Sequence, residues 1–138
     1  MKLFIDTNVM MDLLCMRDPF FIPIAKIASL ADKNEVELAT SALSFATTSY
    51  FLTKNESIDS CKNKLRKFKS ISKIGSLNEQ IIEKSLNSNF TDFEDALQYY
   101  SALNADCQII ITRNGKDFKF SEIPVMTAEE YILSINKK

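Results

Sequence analysis

Histidine is absent from this chain of 138 residues, and glycine occurs only twice. Without histidine the protein has no imidazole base, no Ser/His or Cys/His nucleophile pair, and none of the usual mixed Cys/His zinc sites. Two glycines are too few for a glycine-rich phosphate loop or a dinucleotide-binding fingerprint. The chemistry left to the chain is that of carboxylates, lysine, tyrosine and metal ions held by oxygen.

The chain also lacks a charge excess and a long apolar run. Lys and Arg number 17 against 18 Asp and Glu, a net charge of -1, so a nucleic-acid partner would need a local basic face. No apolar run approaches the roughly 20 residues that span a membrane. Asp6 follows the apolar N-terminal residues too early for a signal peptide. We expect no membrane association.

The three cysteines are widely separated and lie among apolar residues: Cys15, Cys61 and Cys107. An odd number at such spacing favours free thiols over a disulfide framework. A reducing compartment, the cytoplasm, is therefore expected.

Short apolar runs alternate with helical periodicity along the chain. Leu3–Ile5 and Ile109–Ile111 are continuous apolar runs, typical of strands that are buried on both faces. Val36–Thr40, Ile71–Ile74 and Val125–Met126 are further strand candidates. Helices between successive strands imply crossover connections, and hence a largely parallel sheet covered on both faces. The pattern predicts the α/β fold class.

Capping signals predict where several helices begin. Asp18 with Pro19 is typical of an N-cap followed by proline at the first helical position. Three Ser/Thr-x-x-Glu patterns fit capping boxes: Ser76 with Glu79, Thr91 with Glu94, and Thr127 with Glu130.

Polar residues directly follow two of the predicted strands. Asp6–Asn8 come after the first strand, and Thr112–Asn114 come after the triple-isoleucine strand, with Asp117 nearby. Functional sites of open parallel sheets form at the carboxyl ends of the strands. If these two strands are neighbours, Asp6 and Asn114 come within reach of each other.

A pair of acids, Asp92 and Asp95, shares one face in the first turn of a later helix. Each of these features also has a purely structural explanation. Asp6 or Asn8 is a suitable helix cap, the acid pair is favoured by the helix dipole, and Asn114 begins an Asn-Gly turn. Their order along the chain is what favours a site.

Three segments in this order resemble the PIN domain: Phe4–Val9, Asp92–Leu97 and Ile111–Phe118. The family includes the toxins of bacterial toxin–antitoxin pairs and other nucleases. The resemblance covers essentially the whole chain and implies one PIN-like domain over residues 1–138. It also implies a three-layer α/β/α sandwich with a mainly parallel, five-stranded sheet.

The resemblance further implies hydrolysis of RNA phosphodiesters at a cluster of three or four acids that hold Mg²⁺ or Mn²⁺. The implied partners are RNA and a separate antitoxin protein, and a homodimer is an alternative assembly. The family's positions fall on these residues: Asp6, Asp95, Asn114 and Asp117 as catalytic residues; Asp6, Asp92 and Asp95 as metal ligands; and Thr7, Asn8, Thr112 and Arg113 as residues that bind substrate or support the site.

One position departs from the family pattern. Thr47 occupies the place of a usual Glu, and no acid occurs between Glu37 and Glu56. We expect weaker metal binding, with Ser44 or Thr47 offering only a hydroxyl. An alternative is therefore a PIN fold that binds RNA or a protein partner without cleavage. An aspartyl-phosphate phosphohydrolase or receiver is disfavoured, because no acid lies two residues after Asp6.

Overall fold

A computed structural model describes residues 1–136 of the chain, so positions 137 and 138 of the predicted domain lie outside the described residues. All pairings in its sheet are parallel. The five strands are Lys2–Ile5 (β1), Glu37–Ser41 (β2), Ser72–Gly75 (β3), Ile109–Ile111 (β4) and Val125–Met126 (β5), in the spatial order β3-β2-β1-β4-β5.

Helices connect the strands and cover both faces of the sheet. A short 3₁₀ turn, Gly115–Phe118, follows β4. The α-helices are Thr7–Leu14 (α1), Phe21–Asp32 (α2), Ala42–Leu52 (α3), Ile58–Ser70 (α4), Glu79–Leu86 (α5), Phe93–Asn104 (α6) and Ala128–Ile135 (α7).

The alternation of side chains along β1 produces two hydrophobic cores. Leu3 and Ile5 face one core, which α1 to α4 and α7 complete. Phe4 faces the other, where it packs with Tyr99 and Ala102 of α6. Because β1 is the central strand, all three side chains are fully buried. The predicted α/β class and the three-layer arrangement are confirmed.

The register between β1 and β4 decides what meets at the carboxyl edge of the sheet. Ile5 pairs with Ile111, and the Asp6 amide donates to the Ile111 carbonyl at 3.0 Å. The two strands therefore end side by side, and the polar residues that follow them lie at the same edge of the sheet. The condition that these strands are neighbours is met.

The predicted capping box of the last helix is confirmed: Thr127 and Glu130 each accept from the other's backbone amide. The other two boxes are wrong. Asn78 caps α5 and Asp92 caps α6, each accepting from the amide three residues on. Asp92 is a stronger cap than Thr91, whereas Asn78 is about as good a cap as Ser76 and competes with it two positions later.

The predicted cap at Asp18 and Pro19 is also wrong. The amides of Phe20 and Phe21 both donate to the carbonyl of Arg17, at 3.0 and 2.8 Å. This turn delays the start of α2 until Phe21. Among the described helices, none is long and apolar enough to cross a membrane.

Gly75 of β3 lies against α6, and this close approach predicts a specific stability defect. A Cβ at Gly75 would lie 2.5 Å from Ser101 Oγ and 3.3 Å from the Ser101 carbonyl oxygen. We expect Gly75→Ala to lower the free energy of unfolding by about 1–3 kcal/mol, as overpacking does, in urea titrations.

Two comparisons test this explanation. Ser101→Ala in the Gly75→Ala background should restore part of the loss, since Ser101 Oγ is buried without a hydrogen-bond partner in the described structure. Gly115→Ala should cost little, because the nearest atom to its added Cβ is 3.9 Å away. Equal losses for Gly75→Ala and Gly115→Ala would contradict the steric explanation.

Candidate active site

Asp6 lies at the carboxyl end of β1 and has two structural roles. As the N-cap of α1, its Oδ1 accepts from the Thr7 amide at 2.8 Å. Its Oδ2 accepts from the Thr112 hydroxyl at 2.8 Å. The capping explanation for Asp6 is thus confirmed, and its carboxylate is also fixed in orientation at the edge of the sheet.

The environment of Asp6 raises its pKa. Burial is the largest cause, and the Asp117 carboxylate adds to it, whereas hydrogen bonds from Thr112, Thr7 and Gln98 act in the opposite direction. A buried carboxylate that is held in place but not paired with a base is stabilised by a nearby cation.

The four predicted catalytic residues line one cavity of about 320 Å³. Asp6 enters it from β1, Asp95 from α6, and Asn114 and Asp117 from the turn after β4. The structure therefore brings together residues from three distant parts of the chain. Their roles in catalysis remain predictions.

The pKa of Asp95 is also raised. Burial is the largest cause, and together with repulsion from other carboxylates it raises the pKa to about 7. From the largest effect to the smallest, these carboxylates belong to Asp92, Asp117, Asp6 and Glu94. The cavity thus concentrates negative charge, and a cation bound there would relieve the repulsion.

The predicted acidic cluster is not assembled, however. Among residues 1–136, no three His, Cys, Asp or Glu side chains are grouped closely enough to hold a metal ion. Repulsion between the carboxylates opposes a closer arrangement in the absence of a cation. Asp92, predicted as a ligand, lines an adjoining cavity instead, where it caps α6.

The residues predicted to bind substrate separate into two groups. Thr7, Asn8 and Arg113 line the cavity. Thr112 is 1% exposed and donates its hydroxyl to Asp6, which is a supporting position, and its part in substrate binding stays a prediction. Its contribution is to support the Asp6 carboxylate.

Arg113 is held by a residue that the sequence analysis missed. Its Nε and Nη2 donate to the two carboxylate oxygens of Asp12, at 2.7 and 3.2 Å. Arg17 contacts the same carboxylate at 2.9 Å. Asp12 is 1% exposed, so two guanidinium groups face one buried acid and leave excess positive charge beside the cavity. A buried acid within an apolar helix requires such partners. The single acid Asp12 within the apolar α1 segment was therefore the feature of the sequence that could have indicated this role.

Gln98 is a second residue that the sequence analysis missed. Its Nε2 donates to Ser44 Oγ at 2.7 Å, to Thr7 Oγ1 at 3.2 Å and to Asp6 Oδ1 at 3.4 Å. Its Oε1 accepts from Ser41 Oγ. This buried network joins β1, α3 and α6. Gln98 lies three residues after Asp95, so its place on the same helical face was a usable signal.

The helix with the missing glutamate does face the cavity. Leu43 and Phe51 line it, and Thr47 lies one helical turn from each of them. Ser44 enters the site through the Gln98 network, but it is fully buried. Thr47 itself is not among the residues that line the cavity, and the replacement of a carboxylate at this position stays a prediction.

The donor set of the cavity fits a hard divalent cation. It consists of carboxylate and amide oxygens from Asp6, Asp95, Asn114 and Asp117, without imidazole or thiol groups among the lining residues. Oxygen ligands of this kind favour Mg²⁺ or Mn²⁺. The raised pKa values of Asp6 and Asp95 agree with that fit.

Comparison with known proteins identifies the family. A model of the PIN domain matches residues 2–116. The chain belongs to the PIN domain family. Among curated proteins, Ribonuclease VapC1 of Aquifex aeolicus (strain VF5) is 30% identical to this PIN-domain chain over 137 residues, covering 94% of this chain and 92% of the relative.

A solved structure confirms the PIN fold. It is the crystal structure of VapBC2 from Rickettsia felis bound to a DNA fragment from their promoter. One of its chains matches with a TM-score of 0.68 and 16% identity, covering 91% of this chain and 97% of that one. At this identity the likeness concerns the fold.

The raised pKa of Asp95 predicts a pH dependence of stability. Between the ordinary value of 3.8 and about 7, the folded protein keeps a proton on Asp95 that the unfolded chain has released. Stability therefore falls as the pH rises through this window. In EDTA, Asp95→Asn should be more stable than the wild type at pH 8, and the difference should vanish at pH 4. Parallel profiles of melting temperature against pH would contradict this assignment.

Proposed function

We propose that this PIN-domain protein is a metal-dependent ribonuclease, a single domain over residues 1–138, and the toxin of a toxin–antitoxin pair. The observation that supports it is the convergence of Asp6, Asp95, Asn114 and Asp117 on one cavity. Similarity to Ribonuclease VapC1 over nearly the whole chain supports RNA as the substrate.

The residues that would hold the ion are Asp6 and Asp95, with Asn114 and Asp117 on the facing wall and Asp92 as an outer acid. A divalent ion, Mg²⁺ or Mn²⁺, supplies charge neutralisation at the phosphodiester and activates a water molecule. The chain fixes the Asp6 carboxylate through Thr112 and the Thr7 amide, so its free lone pairs have a defined direction.

Substrate binding is proposed for the positive side of the cavity. Arg113 is about one-third exposed. Two hydrogen bonds to Asp12 orient it, and its guanidinium carbon lies 4.0 Å from the centroid of the Phe20 ring. A guanidinium held in this way matches a backbone phosphate. Thr7 and Asn8 line the same cavity and offer polar contacts beside the scissile group.

A second candidate is a PIN-fold protein that binds RNA or a protein partner without cleavage. Two observations favour it. Thr47 occupies the place of the usual glutamate, and among the described residues no three acids lie close enough together to hold a metal ion. Metal titration separates the candidates, because only the nuclease requires the ion.

Substitution of the acids tests the nuclease. We expect Mn²⁺-dependent cleavage of a mixed RNA pool by the wild type, and a loss of at least about 100-fold in Asp6→Asn and Asp95→Asn, since each removes a proposed ligand. Asp106→Asn is the matched control. It makes the same chemical change at an exposed residue of positive φ, which asparagine tolerates. Equal activity in all four proteins would refute the catalytic proposal. The absence of activity from all four would refute it as well.

The proposed partners are RNA and a separate antitoxin protein, with a homodimer as the alternative assembly. The structural relative is a VapBC2 complex bound to promoter DNA, which supports an antitoxin partner of this kind. Three free cysteines, two of them buried, suit a reducing compartment, and we propose the cytoplasm.

Co-expression tests the partner. With the product of a small neighbouring gene that encodes a DNA-binding protein, we expect one stable complex, and we expect that product to suppress RNA cleavage. Light scattering on the separated complex and on the free chain gives the number of copies in each. A neighbouring protein that neither binds the chain nor alters its cleavage would contradict the toxin assignment.

A further inference from the structure

The largest described cavity, about 620 Å³, lies away from the acidic one, between α5 and α6. Aromatic rings form one part of its lining and side-chain amides form another. Representative lining residues are Phe90, Tyr100, Phe120, Gln80, Asn87 and Asn104. The volume falls within the range of small-molecule sites, roughly 300–1,000 Å³.

The aromatic part is only partly used for packing. Phe90 lies among other rings, with centroids 5.3 Å from Tyr99 and 5.9 Å from Phe120. Tyr99 is fixed, because its hydroxyl accepts from the Glu122 amide at 3.0 Å. Phe120 is 44% exposed. The aromatic cluster thus presents one partly exposed ring at the edge of the cavity, with the Lys119 ammonium 5.2 Å from the centroid of that ring.

Shared lining residues relate this cavity to the candidate active site. Phe90 and Phe120 also line a smaller cavity of about 340 Å³, whose other walls include Asp95 and Asp117. Those two acids line the acidic cavity that contains Asp6. The smaller cavity, here called the intermediate groove, thus adjoins both the aromatic cavity and the acidic one.

The charges along this path vary in a way that suits a nucleotide chain. The aromatic cavity contains one cation, Lys84, and one anion, Glu122, so its lining is neutral overall. The intermediate groove adds Lys116 and Lys119, both exposed, beside the carboxylates of Asp92, Asp95 and Asp117. Rings and amides without net charge match a nucleobase, whereas exposed lysines match the phosphates that flank it.

We propose that the aromatic cavity binds an unstacked base of single-stranded RNA whose backbone is cleaved at the acidic cavity. The base stacks on Phe120, against which Phe90 packs edge-on, and the amides of Gln80, Asn87 and Asn104 contact its edge. The inference rests on the proposed function for the identity of the ligand. Single-stranded RNA is favoured because a paired base would first have to be unpaired and unstacked to enter such a cavity, whereas a single-stranded base is already accessible.

Binding without cleavage tests the inference directly. The probe is a fluorescein-labelled, single-stranded RNA 12-mer of random sequence in EDTA, followed by anisotropy. We expect Phe120→Ala to weaken binding five-fold or more, since one base–aromatic stack is worth about 1–3 kcal/mol. The matched control is Phe93→Ala, because Phe93 is 45% exposed at the start of α6 and is not among the residues lining these three described cavities.

A second variant probes the opposite wall. Gln80 is exposed on α5, so Gln80→Ala leaves the aromatic cluster intact, and we expect it to weaken binding and to alter the base preference at a flanking position of sequenced cleavage products. If both variants bind the RNA as tightly as Phe93→Ala does, the inference is overturned. Equal affinity of the wild type for double-stranded RNA would overturn it as well.

The outcomes also separate this inference from the ribonuclease proposal. RNA binding that depends on Phe120 in a protein that never cleaves RNA supports the base site and refutes the nuclease. Cleavage that is insensitive to Phe120 and Gln80 supports the nuclease and overturns the base site. Loss of antitoxin binding in Phe120→Ala, with RNA binding unchanged, would assign this surface to a protein and overturn the inference.

Discussion

Parallel pairing of β1 with β4 is the constraint on which the site depends. It aligns Ile5 with Ile111 and so places the first residues after each strand, Asp6 and Thr112, side by side. Continuous apolar runs bury both strands between helices, and the pairing of Ile5 with Ile111 brings their carboxyl ends to the same edge of the sheet. The acidic cavity therefore follows from hydrophobic burial in the centre of the sheet, although none of its catalytic candidates is apolar.

A second layer of interactions holds the polar groups in place. Gln98 connects Asp6 to Thr7 and Ser44, and Asp12 orients Arg113. Both side chains are buried, so their partners are needed to satisfy them as well as to order the cavity. The same hydrogen bonds thus stabilise the buried side chains and set the geometry of the site. A substitution within them is expected to affect folding and function together.

The sequence predicted the elements that depend on local composition. Leu3–Ile5 and Ile109–Ile111 indicated buried strands because parallel sheets favour such runs, and the edge of the sheet then located Asp6 and Asn114. The cap at Thr91 was wrong because Asp92 competes for the same helix start. Asp12, Arg17 and Gln98 were missed, since their roles depend on side-chain directions that spacing alone does not give. Spacing also did not give the distances between the acids, which line one cavity without forming a group of three among the described residues.

The double role of Asp6 has an evolutionary consequence. Its carboxylate caps α1 and also lines the cavity, so a substitution that removes the side chain destabilises the helix and also changes the cavity. Asparagine caps a helix equally well but has no negative charge. A lineage that abandoned hydrolysis while preserving the fold would therefore most readily pass through asparagine at this position. An aspartate here carries the cost of burying a carboxylate, which the helix cap alone does not require.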